Sequence, residues 1–216
     1  MIALTADGKG LFATRIARLF AYGFLSVILV LFLKETGLRE TQIGLLLTLT
    51  LIGDTVVSLL ITTSADRFGR RRMLITGSLL MIFAGVLFAF TNSFALLLIA
   101  ATIGVISPSG YEVGPFLSIE QAALSHIVQG SDRTRVFAWY NLVGSFATAS
   151  GALVAGLMTQ ALQHAGYSAL EAYQSMILGY AGIGFVLVML FMRLSSSVEV
   201  QGNRNNNQVP TVKTFI

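Results

Sequence analysis

Long apolar runs separated by short polar ones set the pattern of this chain. A bilayer core is about 30 Å thick, so a spanning helix needs roughly 20 mostly apolar residues. Six segments meet that need: residues 11–33, 42–62, 73–91, 94–120, 136–160 and 173–192. The pattern predicts an all-α polytopic membrane protein, with residues 1–194 as one bundle of six transmembrane helices. The fourth segment carries Pro108 and Pro115 with Gly110 and Gly114 between and beside them. Prolines remove backbone hydrogen bonds, so this span reads as a bent helix. Its freed backbone groups must be satisfied by protein or by a wet cavity. The tail, 195–216, is polar and asparagine-rich without helical period, and reads as a disordered cytoplasmic extension.

Composition supports this. Of 216 residues, 55% are hydrophobic and 11% charged, with a mean hydropathy of +0.77. A soluble domain usually carries about 25% charged residues. There are no cysteines and only two histidines, far apart in sequence, so no metal centre or cofactor site is expected. A net charge of +4 raises the question of nucleic acid, but the basic residues gather in particular loops. Arg67, Arg70, Arg71 and Arg72 lie between segments two and three, Arg133 and Arg135 between four and five, and Arg193 after six. The other connections carry balanced charge or no Lys or Arg. The positive-inside rule then places both termini and the arginine loops in the cytoplasm, with the plasma membrane as the expected location. The N-terminus lacks a signal-peptide cleavage pattern. The expected partners are the lipid bilayer and a small-molecule substrate, not nucleic acid.

The knot Asp66-Arg67-Phe68-Gly69-Arg70-Arg71-Arg72 holds more than an orientation signal needs. Any positive loop fixes topology; the aspartate and the glycine are extra. A glycine permits a left-handed backbone or a close approach in a short turn. An aspartate there can accept from a helix N-terminus or an arginine. The stretch TTSADRFGRR, 62–71, resembles the signature loop between helices two and three of the major facilitator superfamily, G-x-L-A-D-R-x-G-R-R. It matches at Ala65, Asp66, Arg67, Gly69, Arg70 and Arg71 and departs at Thr62 and Ser64. The resemblance implies two inverted three-helix repeats within a bundle, and two bundles rocking about a midplane site. It makes Asp66, Arg67, Gly69, Arg70 and Arg71 a gating loop, and residues 1–194 the N-terminal half of a transporter. The chain then reads as a truncated product, a fragment, or a half-size unit that pairs with a second half or with its own copy.

Charges inside spans are costly, so each is a candidate for function. Asp54 lies twelve residues before Asp66, about 18 Å along the helix and near mid-depth. It reads as a proton- or substrate-binding carboxylate, or as a buried acid bonded to a neighbouring hydroxyl. Arg15, Arg18 and Tyr22 share one face of helix one. Arg15 is expected to snorkel, and Arg18, deeper, to pair with Glu112 across a gate. Glu120 is expected near the interface, beside His126 and Arg133. Asn141 and Ser145 are candidates for the cavity wall. Gly144, Thr148, Gly151, Ala152, Ala155 and Gly156 suit close helix packing.

No phosphate-binding G-x-x-x-x-G-K-[ST] loop and no Ser/His/Asp set occurs, which argues against an ATPase or a hydrolase. The expectation is therefore a non-enzymatic secondary transporter of a small solute, coupled to protons. The competing expectation is a transport-inactive six-helix protein that binds or regulates a partner, or a half-transporter working as a homodimer.

Overall fold

The computed structural model describes residues 5–108, 110, 115–128, 130–195 and 198–199. Seven α-helices are found among them: α1 (Ala6–Glu35), α2 (Glu40–Phe68), α3 (Arg70–Phe90), α4 (Phe94–Ile103), α5 (Pro115–Ile127), α6 (Arg133–His164) and α7 (Ala169–Met192). Five of them, α1, α2, α3, α6 and α7, are long and apolar enough to cross a membrane. The expected bent fourth span is instead two short helices with irregular backbone from Gly104 to Pro108. At 1.5 Å per residue, neither α4 nor α5 spans a bilayer alone. Pro115 opens α5, a position where a missing N–H costs nothing.

Local sequence explains the helix ends. The Thr5 side chain accepts from the Gly8 N–H at 3.2 Å to start α1. Ser168 and Glu171 form a reciprocal capping box that starts α7. Between α2 and α3 the chain turns on Gly69 alone, with φ +101°, a conformation that side-chain-bearing residues rarely adopt.

The helices pack mainly as α1 on α6 and on α7, α3 on α7, and α2 on α4. Counting α4 and α5 as one span, exchanging spans one to three with spans four to six maps one–five onto two–four and leaves three–six in place. The packing thus has the symmetry of two three-span repeats. α1 is the most buried span, with Leu11, Ile28, Phe32 and Leu33 fully covered. α2 and α6 are the least buried spans and present Leu59, Leu60, Phe146 and Leu153 outward. That outward apolar surface suits lipid or a further bundle.

The small residues of α6 pack as expected where they meet α1. A Cβ built on Gly151 would lie 2.1 Å from the Phe20 carbonyl oxygen, and one on Gly23 2.0 Å from that of Thr148. Gly156, by contrast, faces open space. The tail does not begin as a disordered segment: Val198 is fully buried against the bundle. Residues 196–197 and 200–216 lie outside the described residues.

Gly151→Ala is expected to lower stability by about 1–3 kcal/mol through overpacking, while Gly156→Ala is neutral or slightly stabilising. Thermal unfolding of the purified variants in detergent checks both.

Candidate functional site

Three groups of polar residues stand out. The first joins α1, α5 and α6. Arg18 and Glu120 are both fully buried and form a bidentate pair, Nη1–Oε1 and Nη2–Oε2, each at 2.7 Å. Thr14 donates to Glu120 Oε1 at 2.9 Å, and the Tyr140 hydroxyl donates to Glu120 Oε2. The Arg18 guanidinium lies 4.6 Å from the Phe116 ring centre. The carboxylate is thus satisfied on both oxygens, which a buried ion pair requires. Beside it, Arg15 donates to the Tyr140 carbonyl at 2.8 Å and to Asn141 Oδ1 at 3.1 Å, with its guanidinium over the Tyr140 ring.

These contacts revise several expectations. Arg15 is buried and bonded rather than snorkelling. Arg18 pairs with Glu120, which is a core residue and not an interfacial one. Glu112, the expected partner, lies outside the described residues. The nearby Arg133 is engaged instead with the Val128 and Ser125 carbonyls, and His126 is exposed. The pattern held a usable signal. Once α5 restarts at Pro115, Phe116, Ile119, Glu120 and Ala123 follow helical spacing on one buried face. Asn141 and Ser145 are exposed, Ser145 donating back to the Asn141 carbonyl at 3.2 Å.

The second group surrounds Asp54. It sits midway along α2, is 2% exposed, and its Oδ1 has no hydrogen-bond partner. The alternative of a buried acid bonded to a Ser or Thr is not realised: neighbouring Thr50 and Thr55 donate to their own helix carbonyls. Gly53 rests directly on the Thr102 backbone near the end of α4. On the far side of the α4 break, the Tyr180 hydroxyl donates to the Val105 carbonyl at 2.7 Å. Asp54 and Tyr180 are within electrostatic reach of each other.

The third group is the charged knot. Asp66 is largely exposed and meets Arg70 Nε at 3.4 Å. The N-terminal N–H groups of α3 are taken not by Asp66 but by Glu199. Its carboxylate accepts from Arg70 N–H at 2.7 Å and from Arg71 N–H at 3.2 Å. The Arg71 side chain donates to the Met192 carbonyl. The α2–α3 turn is thereby fastened to the end of α7. A Cβ on Gly69 would come within 3.1 Å of Glu199 Oε1, so the glycine leaves room for the carboxylate. Sequence reasoning missed Glu199 because the segment around it carries no helical period. A separate open cleft of about 410 Å³ between α3 and α7, lined by Asn92, Tyr167, Glu171 and Gln174, contains none of the expected site residues.

A polytopic, all-helical integral membrane bundle with a charged α2–α3 turn is the class these features define. The chain belongs to the Major Facilitator Superfamily, whose family model matches residues 11–214. Members of this family are transporters rather than enzymes. The chain is also 39% identical over 199 residues to an uncharacterized membrane protein of Saccharomyces cerevisiae, covering 91% of this chain and 44% of that protein. The chain thus spans less than half the length of this relative.

Tyr140→Phe removes one hydrogen bond to a buried charged acceptor and is expected to cost about 1.5–3 kcal/mol, read as a lower unfolding temperature in detergent. Glu199→Ala removes the cap of α3 and is expected to cost about 1 kcal/mol. The same measurement checks it, and added salt should shrink that second difference.

Proposed function

We propose that this chain is one six-span half of a secondary transporter that moves a small solute by alternating access, coupled to protons. Asp54 is the carboxyl that takes up the coupling ion. Asn141 and Glu112 belong to the same half of the pathway, Arg18 anchors that half through its buried pair with Glu120, and Asp66, Arg67, Gly69, Arg70 and Arg71 form the cytoplasmic gate. The single observation that carries this reading is a buried, unpartnered carboxylate beside an interrupted span. Such a group is too costly to keep in a membrane without use. The exposed Asp66 presents an acceptor to a second bundle at the gate. That bundle is supplied by a longer version of the chain or by a second copy. The protein resides in the plasma membrane with both termini in the cytoplasm.

The test is uptake of radiolabelled sugars, amino acids and organic ions into proteoliposomes under an imposed pH gradient. Saturable uptake of one class is expected, abolished by a protonophore and reduced to background by Asp54→Asn. If no class is taken up and the purified chain is monomeric, the reading fails. A transport-inactive bundle that binds or regulates a partner then takes its place.

A further inference from the structure

The open cleft of about 410 Å³ between α3 and α7 combines charge, amide and aromatic groups: Phe90, Asn92, Tyr167, Glu171, Gln174 and Ser175 line it. α3 fixes its depth. That helix begins at the arginine-rich turn, spans 21 residues and ends at Phe90. At 1.5 Å per residue its two ends stand about 31 Å apart. A bilayer core is about 30 Å thick, so the cleft lies at headgroup level on the side opposite those arginines. Its charge is one-sided: Glu171 is exposed, and no Lys or Arg lines the cleft. Glu171 Oε2 accepts from the Ser168 N–H at 2.9 Å and from the Ser168 hydroxyl at 2.7 Å. Among the described residues Oε1 is left open to a ligand. Phe90 is 76% exposed and Tyr167 51%, so two uncovered aromatic rings flank the carboxylate. An apolar seam continues below. On α3, Phe90, Val86, Phe83 and Leu79 recur at helical spacing and are all exposed. On α7, Leu178, Phe185 and Met189 follow the face of Glu171 and are exposed too. Gly182 lies in the same row, where an added Cβ would meet nothing within 4 Å. The row therefore has an unfilled gap.

We propose that this cleft and the seam below it bind one zwitterionic phospholipid. Its ammonium group sits at Glu171 between the Tyr167 and Phe90 rings, where a carboxylate and aromatic faces both attract a cation. Its phosphate takes N–H bonds from the Asn92 and Gln174 amides. One acyl chain lies along the seam and over Gly182. A lipid whose headgroup is net negative is disfavoured, because no cation in the cleft offsets Glu171. The site stands whether or not the chain moves a solute.

The experiment measures lipid retained by the purified full chain in native mass spectra. Phosphatidylcholine, phosphatidylethanolamine and phosphatidylglycerol of the same acyl chains are each added in detergent. Saturable retention of a single zwitterionic lipid is expected, about fivefold tighter than that of phosphatidylglycerol. Glu171→Gln keeps the capping box of α7 but removes the charge, and should erase that preference. Gly182→Leu fills the gap in the seam and should weaken retention several-fold. Gly156→Leu, at an equally open position on α6, should leave it unchanged. Equal retention of all the lipids, or a preference that survives Glu171→Gln, overturns the inference. Binding of soluble glycerophosphocholine as tight as that of the lipid, and indifferent to Gly182→Leu, also overturns it and assigns the cleft to a free organic cation. If Glu171→Gln does not fold, the glycine pair decides. Weaker retention by Gly182→Leu than by Gly156→Leu supports the site, and equal retention overturns it.

Discussion

The bundle depends on one buried ion pair. Arg18 and Glu120 are fully enclosed, and neither has access to water. Taking two such charges out of solvent is expensive, and only close geometry with further hydrogen bonds repays it. Here both guanidinium–carboxylate bonds are 2.7 Å long, and Thr14 and Tyr140 fill the remaining acceptor sites. The pair ties α5 to α1, and Tyr140 ties both to α6. Around this anchor, glycines at Gly23 and Gly151 let α1 and α6 meet backbone to backbone.

The anchor bears on the interrupted fourth span. In lipid, irregular backbone survives only where protein or a wet cavity surrounds it. The backbone leaves the helix at Gly104, and α5 alone, at 13 residues, is too short to cross. Its fixed position comes from Glu120 and from the Phe116 ring, which stacks on Phe191 with centroids 5.9 Å apart. The end of α4 packs on α2 at Gly53, next to Asp54, whose Oδ1 is buried without a hydrogen-bond partner.

Much of this was legible in the sequence, for physical reasons. Span length and hydropathy report directly on bilayer thickness, so the five long apolar helices were readable. Loop charge marked the knot, and the small residues of segment five marked the α1–α6 contact. Asp54 stood out because a lone acid in an apolar run is rare. What was not legible depended on contacts distant in sequence. Arg18 and Glu120 lie 102 residues apart, and the expected depth of Glu120 changed once the span broke into two helices with a new start. Arg15 looked like a snorkelling residue because its partners, the Tyr140 carbonyl and Asn141, lie on another span. Glu199 sits in a stretch with no period, and only the fold shows that it meets the α3 N-terminus.

The most direct test of this account is a double-mutant cycle on Arg18→Met and Glu120→Leu, read by unfolding free energy in detergent. If the pair is the anchor, each single change leaves a buried charge alone and costs about 3–5 kcal/mol. The double variant should then lose far less than the sum of the two. Additive losses would contradict the account, because they would mean that the two charges do not hold each other.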